Sequence, residues 1–197
     1  MKKNEFKKVK NMRIIVGLSG ASSIIYGIRM LEVLKEKKIE TDLIMSDTAS
    51  KIVEIETKLS CEDIYALATR VHDIRNFTAT LSSGSYRNEG MIVIPCSMKT
   101  IAGIASGYSD NLLLRAADAT LKERRPLVLV PRETPLSTIH LRNMLTLSQA
   151  GAVILPACPG FYHKPETIDD IVNHIVGKTL DIFDIGHDLY EKWTGLK

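Results

Sequence analysis

Cysteine is scarce. Cys61, Cys96 and Cys158 are the only three among 197 residues; they form no CxxC pair and cannot all be joined, so a disulfide framework is excluded and a reducing, cytoplasmic compartment is expected. Long apolar runs are missing as well: none approaches the roughly 20 residues that a membrane span needs, and no membrane segment is expected. The net charge of +3 is small and scattered beyond the first ten residues, which argues against a nucleic-acid partner. The five lysines among those first ten residues lack the apolar h-region of a signal peptide, so residues 1–12 read as a basic, disordered tail. The five histidines show neither HxxxH nor Cys-His spacing, which leaves metal chemistry without support.

What is present is an alternation of short β-branched runs with helical spacing, over a length suited to one domain at residues 13–197. Arg13–Leu18 reads as a buried strand, turned by Ser19-Gly-Ala-Ser22 into a helix running to about Lys38, with serine able to cap it. Asp42–Met45 is a second strand, followed by a helix from about Thr48 to Thr57 and another that starts at the box-like Ser60-Cys-Glu-Asp63. His72 to Gly90 is polar and irregular, with Phe77 as an apolar outlier. Strands at Met91–Pro95 and Leu127–Val130 bracket a loop and a helix, capped by Ser109 or Asp110 and ending near Arg124. A helix from Ser137 to Gln149, closed by Gly151, a strand at Ala152–Leu155 and a helix opening at Thr167 complete the chain. The pattern implies a three-layer α/β fold with a doubly wound parallel sheet, and in such sheets ligands lie beyond the carboxyl ends of the strands.

Candidate ligand residues therefore sit in the loops after the strands. Gly17-Leu-Ser-Gly-Ala-Ser22 only loosely matches the dinucleotide fingerprint GxGxxG, and is read equally well as a plain turn or as an anion-binding helix start. Ser46 stands where a ribose-binding carboxylate would end the second strand, which weakens a nicotinamide reading. Two further strands end in proline followed by polar residues, Cys96-Ser-Met-Lys-Thr100 and Arg132-Glu-Thr134. Arg115 and Lys122 lie two helical turns apart and share a face, which is as often a solvated stripe as a site. The loop Pro156–Pro165 presents Tyr162, His163 and Lys164 between prolines.

In order, the segments GLSGAS, PCSMKT, SDNLLLRAAD, LKERRPLVLVPRETPLSTIHLRNM and PGFYHKPET closely resemble the UbiX-type flavin prenyltransferases, including phenylacrylic-acid-decarboxylase-like members, over about Arg13 to Lys178. The resemblance implies a flavodoxin-like or Rossmann-like fold that binds FMN and transfers a dimethylallyl group from dimethylallyl phosphate onto reduced FMN, without a metal. Prenylated FMN would then serve a separate UbiD-type decarboxylase. The flavin site it implies comprises Gly20, Ala21, Ser22, Ser46, Ser97, Met98, Lys99, Thr100 and Arg132. It places Tyr162, Lys178 and the tail residue Trp193 at the prenyl phosphate, and Ser22, Glu56, Arg115, Lys122 and Glu133 in catalysis. It also implies trimers grouped into a dodecamer, with residues meeting across chains.

Lys178 stands where some members carry arginine; near a helix end it could instead serve only the helix dipole. Glu133 is expected in proton traffic, with an ion pair to Arg132 as the duller role. Metal-dependent prenyl diphosphate enzymes carry DDxxD, whereas Asp169-Asp170 here runs on into Ile-Val-Asn. Flavin-dependent cysteine decarboxylases of the same fold carry PxMN where this chain has Pro131-Arg-Glu-Thr134. That alternative, and a flavin-binding regulatory subunit without catalysis, remain the rival readings.

Overall fold

The computed structural model describes residues 12–195. Six parallel strands form one sheet in the order β3-β2-β1-β4-β5-β6: β1 Arg13–Leu18, β2 Glu40–Met45, β3 Arg70–His72, β4 Gly90–Cys96, β5 Leu127–Pro131 and β6 Val153–Ile154. Helices α1 Ile25–Glu36, α2 Asp47–Glu56, α3 Cys61–Tyr65, α4 Met98–Ala105, α5 Leu112–Lys122, α6 Thr138–Gln149 and α7 Ile168–Asp181 connect and follow them. The expected doubly wound sheet is thus present. Strand order reverses between β1 and β4, which leaves a crevice beyond their carboxyl ends.

The inner strands alternate their side chains between two apolar layers. Ile14, Val16, Leu18, Ile92, Ile94, Val128 and Val130 pack toward α1 and α7, while Ile15, Met91, Val93, Leu127 and Leu129 pack toward α4 and α5. All twelve are at most 1% exposed, so each contributes about 1.5–3 kcal/mol of burial on transfer bookkeeping. The run of apolar residues in β1, β4 and β5 is what a strand covered on both faces requires. Close approach is enforced at Gly27 of α1, where an added Cβ would lie 2.4 Å from the Ile94 carbonyl oxygen.

Three local features differ from the sequence pattern. First, the chain after β4 does not loop through Thr100: Ser97 Oγ accepts from Thr100 N–H, and α4 starts at once. Gly107, at φ +69°, breaks that helix before α5 begins. Second, Asn111 rather than Ser109 or Asp110 caps α5, because its Oδ1 accepts from Leu114 N–H at 3.0 Å. Third, β3 is a strand of three residues with exposed Arg70 and Val71, too short and too polar to show a period. It is held by side chains: buried Asp42 accepts from the Tyr86 hydroxyl at 2.7 Å and lies 2.8 Å from His72 Nε2.

The proposed disordered tail lies outside the described residues except for Met12, which is buried and accepts from Glu40 N–H. Among the described residues no helix is long and apolar enough to cross a membrane.

Candidate active site

Four strand-end loops converge on the crevice and are tied to one another. Ser19, which follows β1, is the knot: its N–H and its hydroxyl both donate to the Pro95 carbonyl, at 3.2 and 3.1 Å, while its Oγ accepts from Ser97 N–H at 2.7 Å. Ser46 N–H donates to Leu18 O at 3.0 Å, joining the end of β2 to β1. Arg132, beyond β5, donates from Nε to Ser22 O at 3.3 Å. The structure thus brings Gly20, Ala21, Ser22, Ser46, Ser97, Thr100 and Arg132 around one opening. In the sequence Ser19 carries no signal of this role, because it reads as a failed fingerprint glycine.

The donors of this opening suit an anion. Ser46 and Ser97 are N-caps of α2 and α4, and Ser97 and Thr100 hydroxyls lie 3.0 Å apart. Among the described residues the amides of Met98 and Lys99 have no protein acceptor, as the first amides of a helix do not. Gly20 allows the β1 loop to lie against α2: a Cβ there would meet Thr48 Cγ2 at 2.5 Å. Free amides, three hydroxyls and a guanidinium at one mouth fit a flavin mononucleotide phosphate and its ribityl chain.

Serine does not cap α1. Its N-cap residue Ile24 has no side-chain cap, and Glu56 at the far end of α2 takes that place, accepting from Ser23 N–H at 2.8 Å and Ile24 N–H at 2.9 Å. Ser23 reaches this turn with φ +78°. One carboxylate therefore occupies the α1 terminus beside Ser22. Glu133 is exposed, and its Oε1 accepts from Thr134 N–H at 3.0 Å. No ion pair joins it to Arg132 among the described residues, so that duller role is not the one seen.

Tyr162 and Trp193 lie in a separate cluster beside α7. Tyr162 Oη lies 3.2 Å from His174 Nε2, and its ring meets that of Trp193 edge-on at 6.0 Å. The tail reaches this point because Asp181, at the end of α7, accepts from Tyr190 Oη at 2.6 Å and Lys192 Nζ at 2.7 Å and faces His187 at 3.2 Å. Burial disfavours the Asp181 carboxylate, yet the Lys192 and Tyr190 hydrogen bonds hold its acidity below the ordinary carboxylate range. Gly177 is needed there, since a Cβ would strike the Tyr190 and His187 rings at 2.7 Å. Lys178 is exposed one turn beyond His174. The spacing of His174 and Asp181 in the sequence gives no sign that they gather a tail aromatic.

Arg115 and Lys122 are elsewhere within the single chain. Arg115 donates to Ser82 O at 3.1 Å and pairs with Asp118 at 2.6 Å, while exposed Lys122 ends α5 at the opposite end of β5 from Arg132. Lys122 therefore does not flank Glu133 in its own chain. Phe77 is exposed in the loop before β4. Cys96 closes β4 wholly buried, and burial pushes its thiol far up, which leaves no nucleophile. A cleft of about 510 Å³ lined by Arg13, Glu40, Arg87, Asn88, Glu89 and Arg125 lies at the amino ends of the strands, away from these loops. No group of three or more His, Cys, Asp or Glu among the described residues is placed to hold a metal ion.

Residues 2–180 match the model of the Flavoprotein family. The chain is 54% identical to the flavin prenyltransferase UbiX of Thauera aromatica over 184 residues, 93% of this chain and 95% of that protein. It belongs to the UbiX-type flavin prenyltransferases. Among solved structures, that of AnUbiX (PadA1) in complex with FMN and dimethylallyl pyrophosphate is 49% identical, with a TM-score of 0.93 over 95% of this chain and all of the other. A dodecameric FMN-dependent UbiX-like decarboxylase from Escherichia coli O157:H7 is 52% identical, with a TM-score of 0.91 over 93% of this chain and all of that one.

Proposed function

We propose that this prenyltransferase moves the dimethylallyl group of dimethylallyl phosphate onto reduced FMN, and that a UbiD-type decarboxylase uses the prenylated FMN. The observation that carries the reading is the stitched crevice, which presents free amides and hydroxyls at the strand ends of a chain with this family membership. FMN, when bound there, supplies the electron-rich ring that accepts the allyl group.

The chain's own residues have separable tasks. Ser46, Ser97 and Thr100, with the Met98 and Lys99 amides, bind the flavin phosphate; Gly20, Ala21 and Ser22 form the floor against which the ring lies. Glu56 fixes the Ser22–Ile24 turn through its two amide bonds, so that Ser22 keeps its place. Arg132 braces the same turn through the Ser22 carbonyl. Glu133, exposed and unpaired with Arg132, is free to move a proton at the crevice mouth. Tyr162 and Lys178 hold the departing phosphate with charge-assisted hydrogen bonds, worth roughly 1.5–3 kcal/mol each, and the Trp193 face shields the developing allyl cation.

Arg115 and Lys122 join this clamp from another copy of the chain. Supporting a homo-oligomer, α6 buries only Leu147 while Ile139, Leu141 and Leu145 are 68%, 52% and 59% exposed. Such a face is unusual for a monomer and suits a subunit contact. A dodecamer, as in the Escherichia coli relative, is the proposed assembly, in the cytoplasm where its three free cysteines stay reduced.

Anaerobic incubation of the chain with reduced FMN and dimethylallyl phosphate, followed by mass spectrometry of the released flavin, tests the activity. The expected product is FMN enlarged by one five-carbon unit. Unaltered FMN at full flavin occupancy would refute the reading.

A further inference from the structure

The hydrogen bonds around His174 determine which of its ring nitrogens carries the proton. Gly160 N–H points at Nδ1 across 3.4 Å, so Nδ1 must be an acceptor. In the neutral ring the proton then resides on Nε2, which lies 3.2 Å from Tyr162 Oη. His174 thus donates to the Tyr162 oxygen and leaves the phenolic hydrogen unused. Protonating Nδ1 would set two N–H groups against each other. The surroundings oppose that state: burial lowers the His174 pKa, and the nearby His163 and Lys178 lower it further. His163 stacks on the ring at 4.8 Å, Tyr190 meets it edge-on at 4.9 Å, and the Tyr190 hydroxyl is already committed to Asp181. Tyr162, 43% exposed, is left as a directed donor at the surface.

We propose that His174 is a positioning residue for prenyl transfer: by donating to Tyr162 Oη it aims the Tyr162 hydroxyl hydrogen outward, toward the phosphate of the prenyl donor. The inference rests on the reading that Tyr162 grips that phosphate, and it adds a requirement that this reading does not contain. A hydroxyl that spent its hydrogen on a histidine acceptor would offer the phosphate only lone pairs, and two acceptors repel. The tautomer held by Gly160 removes that competition.

A double-mutant cycle tests it, with donor KM, turnover and FMN affinity measured for each assembled variant. His174→Phe keeps a ring for the stack but removes the donor; we expect donor KM to rise roughly 3- to 10-fold, the size of one lost neutral hydrogen bond, with FMN affinity unchanged. His174→Gln restores an N–H near the Nε2 position and should recover most of that loss. In a Tyr162→Phe background, His174→Phe should change donor KM by less than about twofold, because nothing remains for it to aim. Equal effects in both backgrounds, or no recovery with glutamine, would overturn the proposal and leave His174 a packing residue. If the phenylalanine variant does not assemble, His174→Met carries the same comparison. Unchanged donor KM in Tyr162→Phe alone would refute the phosphate grip itself, and the inference with it, whereas a Tyr162 effect without a His174 effect refutes only the inference.

Discussion

The crevice at β1 and β4 and the cluster on α7 are built from different materials. The crevice is made of backbone: amides, carbonyls and short hydroxyls locked by Ser19, with its geometry dictated by two buried central strands of the sheet. The α7 cluster is made of long side chains on the surface, gathered by Asp181, with Tyr162 at 43% and Trp193 at 61% exposure. Among the described residues no hydrogen bond or ion pair connects the two. A binding site that is finished holds its partner groups at fixed distances; a half-site leaves cations and aromatic faces to solvent. On the reading proposed above, one chain carries a flavin floor and an unfinished donor clamp, and subunit assembly would bring them together.

The sharpest way to separate the two regions is to change one charge in each. Glu133→Gln should leave FMN affinity near the parent value and reduce product formation by roughly 10²-fold or more, within the range of general acid–base groups. Steady-state product analysis at saturating FMN checks this, and unchanged turnover would remove Glu133 from proton transfer. Lys178→Met should raise donor KM and slow phosphate departure by roughly 10- to 10²-fold, the worth of one charge-assisted bond, while FMN titration stays unaltered. Lys178→Arg retains the charge and should keep most activity. A purely helix-dipole role would instead lower stability by about 0.3–1 kcal/mol and spare the kinetics.

Ser19→Ala reverses the pattern. It strips the knot of its hydroxyl, leaving the Ser97 amide without its acceptor, and should weaken FMN binding about tenfold and stability by roughly 1–3 kcal/mol, with donor KM unchanged. Isothermal titration and thermal melts on one preparation read both. The smallest effect is expected at Cys96→Ala, where a wholly buried thiol is packing and no nucleophile: stability should fall by about 1 kcal/mol while turnover persists. Loss of turnover with FMN still bound would call for covalent catalysis.

The two regions also differed in how far they could be read from the chain alone. Strands such as Arg13–Leu18 and Leu127–Pro131 announce themselves as apolar runs, and a ligand site at their ends follows from doubly wound topology, so the crevice was legible. Its bracing was not. That Glu56 caps α1 from 32 residues away, or that Ser19 ties two loops, depends on tertiary approach that no local period encodes. At α7, Tyr162 stood out in its proline-bracketed loop, but its pairing with Lys178 was legible only through likeness to relatives. The histidines and Asp181 that set Tyr162 and Trp193 in place are spread over 163–187 with no spacing of their own. β3 and α4 escaped for local reasons: one is an exposed three-residue edge, and the other begins directly behind a strand-ending proline and cysteine.

Mixed assemblies test the division of labour most directly. Glu133→Gln and Lys178→Met chains, each carrying its own tag, would be co-expressed, and oligomers holding both tags purified for assay of prenylated FMN. If the clamp and the crevice of each working site come from different chains, about a quarter of the sites in a one-to-one assembly contain neither defect, and activity should return to about a quarter of the parent value. Mixed oligomers no more active than the two inactive parents would show instead that Glu133 and Lys178 serve the same chain's site.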